Sequence, residues 1–324
     1  MNLNIRTDIS AEITSPTLLA GWPGMGSVGV GAINYLRRHL DAVPFADVDM
    51  SEFFCHDEVV VEDGIAKFPE MPSHVFYHVP GKDLVIFESE EQVPGQGGIA
   101  LMNRVLDLAE ELDVQSIYTA AAYVLGMRHS EDVQVFGISN RETLRDHLVP
   151  HGVEVLSKGQ ISGLNGLLLG FADARNISAA CLLSTMPHHL IQMPNPKASR
   201  EIVKVLCSLL DLEVDLSEMD EAVEEMGRAL EVIEERIKSA FSSMEGGGEG
   251  GETIEELGDI DDEVVPQKVM ERIERMFLQV SHSNVAHQSQ VMASQLKQEL
   301  DKWNLYPVYE DRFLNLFRDQ KGNI

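Results

Sequence analysis

Hydrophobic and polar positions follow two alternating patterns through the first 210 residues. Short apolar runs, bounded by glycine or polar residues, alternate with longer segments whose apolar residues recur every three or four positions. The first pattern predicts a strand buried on both faces, and the second predicts an amphipathic helix. The predicted strands are TLLAG (17–21), HVFYHV (74–79), DLVIFES (83–89), SIYTAAAYV (116–124), DVQVFGIS (132–139) and ISAACLLS (177–184). The predicted helices are 27–40, 98–112, 141–149, 163–174 and 197–211.

This alternation of strands and helices predicts the fold class. Parallel strands need a crossover between them, and a helix in that crossover covers one face of the sheet. We therefore expect an α/β core domain over residues 1–212, with a mainly parallel central sheet flanked by helices.

The pattern changes after residue 212. Apolar residues recur at steps of three and four over residues 213–244, which is the heptad pattern of a coiled coil. One interpretation is a helix packed on its own domain, and the other is a seam between subunits. The residues of this candidate oligomer seam are Leu216, Met219, Val223, Met226, Leu230, Ile233 and Ile237.

The remaining sequence divides at residue 263. Residues 245–263 are rich in glycine and acidic side chains, which predicts a flexible acidic linker. Residues 264–324 predict a C-terminal helical arm, which ends in the aromatic stretch WNLYPVYEDRFLNLF.

Charge and composition exclude several classes of partner. The formal net charge is −28, and residues 211–263 alone carry 20 acidic and 3 basic side chains. This charge repels nucleic acid and anionic lipid, and it favours a basic partner. The sequence has no apolar run long enough to cross a membrane and does not begin like a secretion signal, so we expect a cytoplasmic protein without membrane contact. Cys181 and Cys207 are expected to be small core residues.

A glycine-rich turn follows the first predicted strand. Gly24, Gly26 and Gly29 have the G-x-G-x-x-G spacing of a dinucleotide-binding turn, and Asp47 or Asp49 lies about where a ribose-binding acid is expected. Trp22 lies between strand and turn and weakens that interpretation. A tight strand-to-helix turn, or a site for another anion or small ligand, explains the same spacing.

Two further glycine turns, VPGQGG (93–98) and KGQISGLNG (158–166), also open helices. Ligands of open α/β sheets bind beyond the carboxyl ends of the strands, so the three turns define a candidate ligand crevice. Short turns also need glycine without any ligand. The candidate ligand-binding residues are Gly24, Gly26, Ser27, Gly29, Gly95, Gly97, Gly98, Arg128, Lys158, Gly163, Asn165 and Gly166.

Three segments carry a family resemblance. LLAGWPGMGSVG, GQISGLNGLLLG and MPNPKASREIVKVLCSLLDLEVDL resemble, in order and spacing, three signatures of the second type of proteasome assembly chaperone family. The resemblance covers about residues 16 to 240. It implies an α/β fold like that of phosphorylases and hydrolases, a homo-oligomer, and a link to the proteasome. It also implies that the first glycine turn shapes the backbone, so we expect no cofactor.

The sequence contains no motif of a catalytic or metal site. Glu88, Glu90 and Glu91 end a predicted strand and could act as hydrolase acids, but a charged strand end is the commoner explanation. The first hypothesis is a non-catalytic, oligomeric assembly or interaction protein whose partner is a proteasome or another protein complex. The alternative is a small-ligand-binding protein or a phosphorylase- or hydrolase-type enzyme that holds a phosphate, nucleoside or acyl group at the glycine turns.

Overall fold

A mixed β-sheet forms the centre of the fold. The structure is a computed structural model that describes residues 2–9, 11–54, 59–245, 276 and 286–302. The chain divides into two units, residues 1–247 and 248–324. All strands of the described residues belong to the first unit: β1 (Asn2–Ile5), β2 (Thr17–Gly21), β3 (Val43–Asp49), β4 (Val60–Glu62), β5 (Ile65–Lys67), β6 (His74–His78), β7 (Leu84–Ser89), β8 (Ser116–Leu125), β9 (Val135–Ser139), β10 (Glu154–Val155) and β11 (Ser178–Pro187).

Nine of these strands form the main sheet, in the order β1-β3-β6-β7-β2-β8-β11-β9-β10. The four central strands, β7, β2, β8 and β11, run parallel to one another. Antiparallel strands extend the sheet on both sides of this centre, through β6 on one side and β9 on the other. Strands β4 and β5 form a separate two-stranded hairpin.

The central strands are buried on both faces. Leu18 and Ala20 contribute to one hydrophobic core, and Leu19 between them contributes to the other. Successive side chains of a strand point to opposite faces, so a continuous apolar run supplies both cores at once.

Helices cover both faces of the sheet. Helices α2 and α4 pack into the first core, whereas α1, α3, α5 and α6 pack into the second. The bounds are α1 (Val28–His39), α2 (Gly95–Glu111), α3 (Glu142–Leu148), α4 (Leu164–Ala174), α5 (Pro196–Leu210) and α6 (Ser217–Glu245). In the second unit, α7 (Ala286–Lys302) buries Ala293, Leu296 and Leu300, which recur at helical spacing.

Local sequence explains where the two C-terminal helices of the first unit begin. The Asn195 side chain accepts a hydrogen bond from the Ala198 N–H at 3.0 Å, and Pro196 occupies the first helical position of α5. The Asp215 carboxylate accepts hydrogen bonds from the N–H and the hydroxyl of Ser217, where α6 starts. Both are N-terminal caps that satisfy otherwise free backbone donors.

The α/β fold class is confirmed, and each predicted strand and helix of the core matches an observed element to within a few residues. Strands β1, β3, β4, β5 and β10 were not predicted, because they are short or contain polar, proline or charged residues. Residues 246–263 of the predicted linker lie outside the described residues. The same holds for the predicted arm, 264–324, except residue 276 and α7. The domain boundaries therefore stay predictions.

Candidate functional site

Backbone N–H groups of the first glycine turn donate hydrogen bonds to backbone carbonyls of the protein. The Gly26 N–H donates to the Ile191 carbonyl at 2.8 Å, and the Ser27 N–H donates to the Gly24 carbonyl at 2.9 Å. The Val28 N–H donates to the carbonyl of Met25. A dinucleotide diphosphate binds to free N–H groups at this position of a turn. Here three of them already have protein acceptors.

Two of the glycines are required by geometry. Gly26 has φ +59°, and a Cβ there would lie 2.8 Å from the Met186 methyl carbon. At Gly29, a Cβ would overlap the Ala120 carbonyl oxygen, because helix α1 crosses strand β8 at this point. Glycine removes both conflicts, since it has no Cβ and tolerates positive φ.

Asn165 joins the first glycine turn to the third. Its side-chain oxygen accepts a hydrogen bond from the Trp22 N–H, and its side-chain nitrogen donates to the Trp22 carbonyl, both at 3.0 Å. The Asn165 backbone carbonyl accepts a third bond from the Thr119 hydroxyl at 2.7 Å. All three residues are buried, so these bonds satisfy polar groups that are costly to leave unpaired.

Gln92 joins the second turn to the third. Its side-chain oxygen accepts a hydrogen bond from the Leu164 N–H at 3.2 Å, and its side-chain nitrogen lies 3.1 Å from the position of a Cβ on Gly163. A Cβ on Gly98 would lie 3.0 Å from the Leu164 side chain. The three glycine turns therefore meet at the carboxyl edge of the central strands, as the crevice hypothesis requires.

Other glycines of the candidate set shape the turns themselves. Gly95 and Gly163 have φ +59° and +84°, which favour glycine. Gly97 approaches the Val93 side chain closely, and the Gly166 N–H donates to the Gly163 carbonyl at 3.2 Å.

Arg128 and Lys158, the two candidate anion partners, are exposed. The Arg128 backbone N–H donates to the Glu131 carboxylate at 3.2 Å. The contacts that join the turns run through Asn165 and Gln92 instead, so whether the turns bind a ligand stays a prediction.

A small cleft lies beneath helix α6 and borders the first glycine turn through Asn195, whose N–H donates to the Gly26 carbonyl at 2.8 Å. Its mostly apolar lining comes from the segment after β8, the segment after β11, and α6. Val223, Met226 and Leu230, three of the heptad residues, contribute to this lining. The cleft marks where the heptad row faces the core domain.

The first part of the heptad row packs on its own domain. Met219 and Leu230 are buried, and Leu216 and Met226 pack against the second core. The Tyr35 hydroxyl donates to the Asp215 carbonyl at 2.6 Å, which fixes the start of α6 on α1. This placement agrees with the interpretation in which the heptad helix packs on its own domain. The side chains of Ile233 and Ile237 lie outside the described residues, so a seam between subunits further along stays a prediction.

Sequence reasoning missed a buried histidine–serine pair. His74 Nδ1 lies 2.9 Å from Ser89 Oγ, and the Ser89 hydroxyl donates to the Glu91 carbonyl at 2.7 Å. Burial lowers the pKa of His74, and the Glu90 carboxylate opposes that shift. Because both side chains are buried, the pair holds the ends of β6 and β7 together rather than presenting a nucleophile.

The three glutamates considered as hydrolase acids have structural contacts or lie exposed. Glu88 accepts hydrogen bonds from Asn34 at 2.8 Å and Arg37 at 2.7 Å, and Glu90 accepts one from the Ser73 N–H at 2.7 Å. Glu91 is exposed. Within the described residues, no group of three or more His, Cys, Asp or Glu side chains could hold a metal ion. None of the described helices is both long and apolar enough to span a membrane.

Comparison with known families assigns the fold. The family model described as the PAC2 family matches residues 18–234, more than half of the chain. The chain belongs to the PAC2 family. The match spans all three glycine turns and the start of α6, so these features belong to the family's shared region.

Relatives of this PAC2 chain include an uncharacterized protein of Methanocaldococcus jannaschii. It is 26% identical over 234 residues, which are 69% of this chain and 86% of the relative.

Solved structures share the fold. The archaeal proteasome activator PbaB of Pyrococcus furiosus superposes with a TM-score of 0.61 at 24% identity, covering 72% of this chain and 98% of PbaB. PbaA of the same organism, an archaeal homologue of proteasome-assembly chaperone, gives 0.59 at 23% identity, with 76% and 97% covered. A Mycobacterium tuberculosis proteasome-assembly chaperone homologue gives 0.57 at 19% identity, with 66% and 93% covered.

The PAC2 region of this chain also exposes an apolar segment between β3 and β6, which the sequence reasoning missed. Its signal in the sequence was VVVEDGIAKF (59–68), in which an Asp-Gly pair separates two apolar runs and predicts a hairpin. Asp63 and Gly64 have φ +51° and +79°, as a tight hairpin turn requires. The exposed large apolar residues of this region are Phe53, Val59, Val60, Val61, Ile65, Phe68 and Met71.

Proposed function

We propose that this PAC2 protein is a non-catalytic, homo-oligomeric assembly protein of the cytoplasm that acts on a proteasome or on another multi-subunit complex. The observation that carries the proposal is the PAC2 family match over residues 18–234. The fold shared with a proteasome activator and with proteasome-assembly chaperone homologues supports it.

The geometry of the glycine turns supports a structural role at that edge. The N–H groups of Gly26, Ser27 and Val28 donate to protein carbonyls, and Asn165 is held by three hydrogen bonds. A phosphate or nucleoside would have to displace these bonds to use the same groups. The geometry therefore favours an interaction protein over the ligand-binding alternative.

Reconstitution with proteasome subunits of the same organism tests the proposal. We expect the chain to sediment above its monomer mass of 36.0 kDa and to raise the yield of assembled proteasome on native gels. An unrelated acidic protein, such as serum albumin, controls for a general effect of negative charge. A chain that stays monomeric at micromolar concentration and leaves assembly unchanged would contradict the proposal.

A thermal-shift series tests the alternative separately. Phosphate, nucleosides and nucleotides are added in turn, because a true ligand at 100 times its dissociation constant stabilises the fold by about 2.7 kcal/mol. Such a shift would favour the ligand-binding hypothesis, whereas no shift would leave the assembly role as the better explanation.

A further inference from the structure

The hairpin β4–β5 has two chemically different faces. Val61 pairs with Ala66 across the strands, and Glu62 pairs with Ile65. Side chains two positions apart on a strand share a face. We define the apolar face as Val59, Val61, Ala66 and Phe68, and the mixed face as Val60, Glu62, Ile65 and Lys67.

The apolar face is exposed to solvent. Val59 is 51% exposed and Val61 is 64% exposed, although such residues normally cover a core. Every residue from 59 to 68 is exposed. A two-stranded hairpin is marginally stable by itself in water, so burial of this face against another surface would stabilise it.

The hairpin also has open strand edges. It forms a two-stranded sheet, and neither outer edge pairs with another strand in the part of the chain that the structure describes. An open edge presents backbone N–H and C=O groups that can accept an additional strand. A strand added beside β4 would place alternate side chains next to Val61 on the apolar face and next to Glu62 on the mixed face.

The acidic side chains around the hairpin favour an added strand that is basic. The acidic side chains Glu62, Asp63 and Glu70 are exposed around the hairpin, and Lys67 is the base among residues 59–71. A second copy would bring the same acidic groups and a further net charge of −28. The apolar face has only four residues, far fewer than the roughly 20 residues per partner of a stable interface. A basic partner that binds transiently fits both observations better than a second copy does.

We propose that the hairpin β4–β5 is a docking edge for an extended segment of another protein in which apolar residues alternate with lysine or arginine. The apolar side chains cover the apolar face, and the basic side chains meet Glu62 and Asp63. The inference rests on the proposed role as an interaction protein, but not on a proteasome as the partner.

A peptide experiment tests this proposal on the full chain. The probe is a fluorescein-labelled peptide, Lys-Val-Lys-Val-Lys-Val-Lys, and binding is measured by fluorescence anisotropy at 50 and 300 mM salt. The comparison peptide has glutamate in place of lysine. We expect the lysine peptide to bind, more weakly at the higher salt concentration, and the glutamate peptide to bind at least tenfold more weakly.

Hairpin variants show whether binding occurs at this edge. The double variant Val59→Ser with Val61→Ser removes apolar contacts, and Glu62→Lys reverses the charge. Each is expected to weaken binding of the lysine peptide by about tenfold or more. The matched controls are Val232→Ser and Glu231→Lys, exposed residues on α6, which should bind like the wild type. Circular dichroism melts check that each variant is folded.

Three other outcomes would each overturn the proposal. No binding by the lysine peptide, or equal binding by the hairpin and α6 variants, would show that the hairpin does not accept a basic strand. A fall in sedimenting mass in the hairpin variants, without peptide binding, would identify it as a contact between copies. Failure of proteasome reconstitution with intact peptide binding would contradict the proposed partner alone.

Discussion

At Gly29, helix α1 crosses strand β8 without room for a side chain. The missing Cβ allows the helix backbone to approach the Ala120 carbonyl, and this contact sets how α1 lies on the sheet. The spacing of the three glycines resembles a nucleotide-binding turn, yet packing by itself requires glycine at Gly26 and Gly29. Spacing alone could not distinguish the two roles, because both require glycine at the same positions.

Substitution of Gly29 with alanine tests this close approach. We expect Gly29→Ala to destabilise the fold by about 3 kcal/mol or more, because the helix must move away from β8. The control is Gly170→Ala on α4, where a Cβ has open space and alanine should stabilise the helix by about 0.5–1 kcal/mol. Urea denaturation of both variants measures the difference. Equal effects would contradict the role assigned to Gly29.

Cys181 makes the free energy of unfolding depend on pH in the alkaline range. Complete burial raises the pKa of its thiol from 9.0 to about 12. Between these values the unfolded chain loses the thiol proton while the folded chain keeps it, so the free energy of unfolding falls as pH rises.

The Cys181→Ala variant isolates this effect. From pH 9 to pH 11 we expect the wild type to lose about 2 kcal/mol more stability than the variant, as measured by urea denaturation at each pH. The tyrosines whose pKa is raised by burial are common to both proteins, so they cancel in the comparison. Parallel pH profiles would contradict the assignment.

At the scale of an element, the sequence predicted helix α6 but not the surface on which it packs. Its heptad pattern was visible in the sequence, but it did not specify whether the apolar row faces its own domain or another subunit. The structure places Met219 and Leu230 in the second core of the sheet domain. An apolar stripe requires only that something covers it, and tertiary packing decides what that is.

Leu230 provides a test of this packing. We expect Leu230→Ala to destabilise the protein by about 2 kcal/mol and to increase hydrogen exchange in the last described turns of α6, with no change in oligomeric mass. Val232→Ala, on the exposed side of the helix, should change stability by less than about 0.5 kcal/mol. A loss of oligomers specific to Leu230→Ala would instead show that this residue lies between subunits.

At the scale of the whole molecule, the net charge is −28. Repulsion among the acidic side chains therefore lowers the stability of the folded protein. Salt at 150 mM shortens the screening length to about 8 Å, compared with about 30 Å at 10 mM, so it weakens repulsion between acidic groups. We expect the melting temperature to rise by several degrees over this range, with about half a kcal/mol or more of added stability.

Differential scanning calorimetry in sodium chloride measures this shift, and choline chloride controls for binding of a particular cation. Equal shifts in the two salts indicate screening. A melting temperature that does not change with either salt would show that the acidic groups are too far apart to interact.

The sequence alone determined the class of the fold and the order of its core elements, because strands buried on both faces and amphipathic helices have distinct apolar periods. It also determined that glycine was needed at the turns. Only the tertiary structure decided what meets those turns: Asn165 and Gln92 lie far along the chain from the residues they join, and no local pattern specifies such pairings. Tertiary structure likewise left the residues of the hairpin β4–β5 exposed. Its alternating residues specify a face to be buried, but only the surrounding chain determines whether a partner is available to bury it.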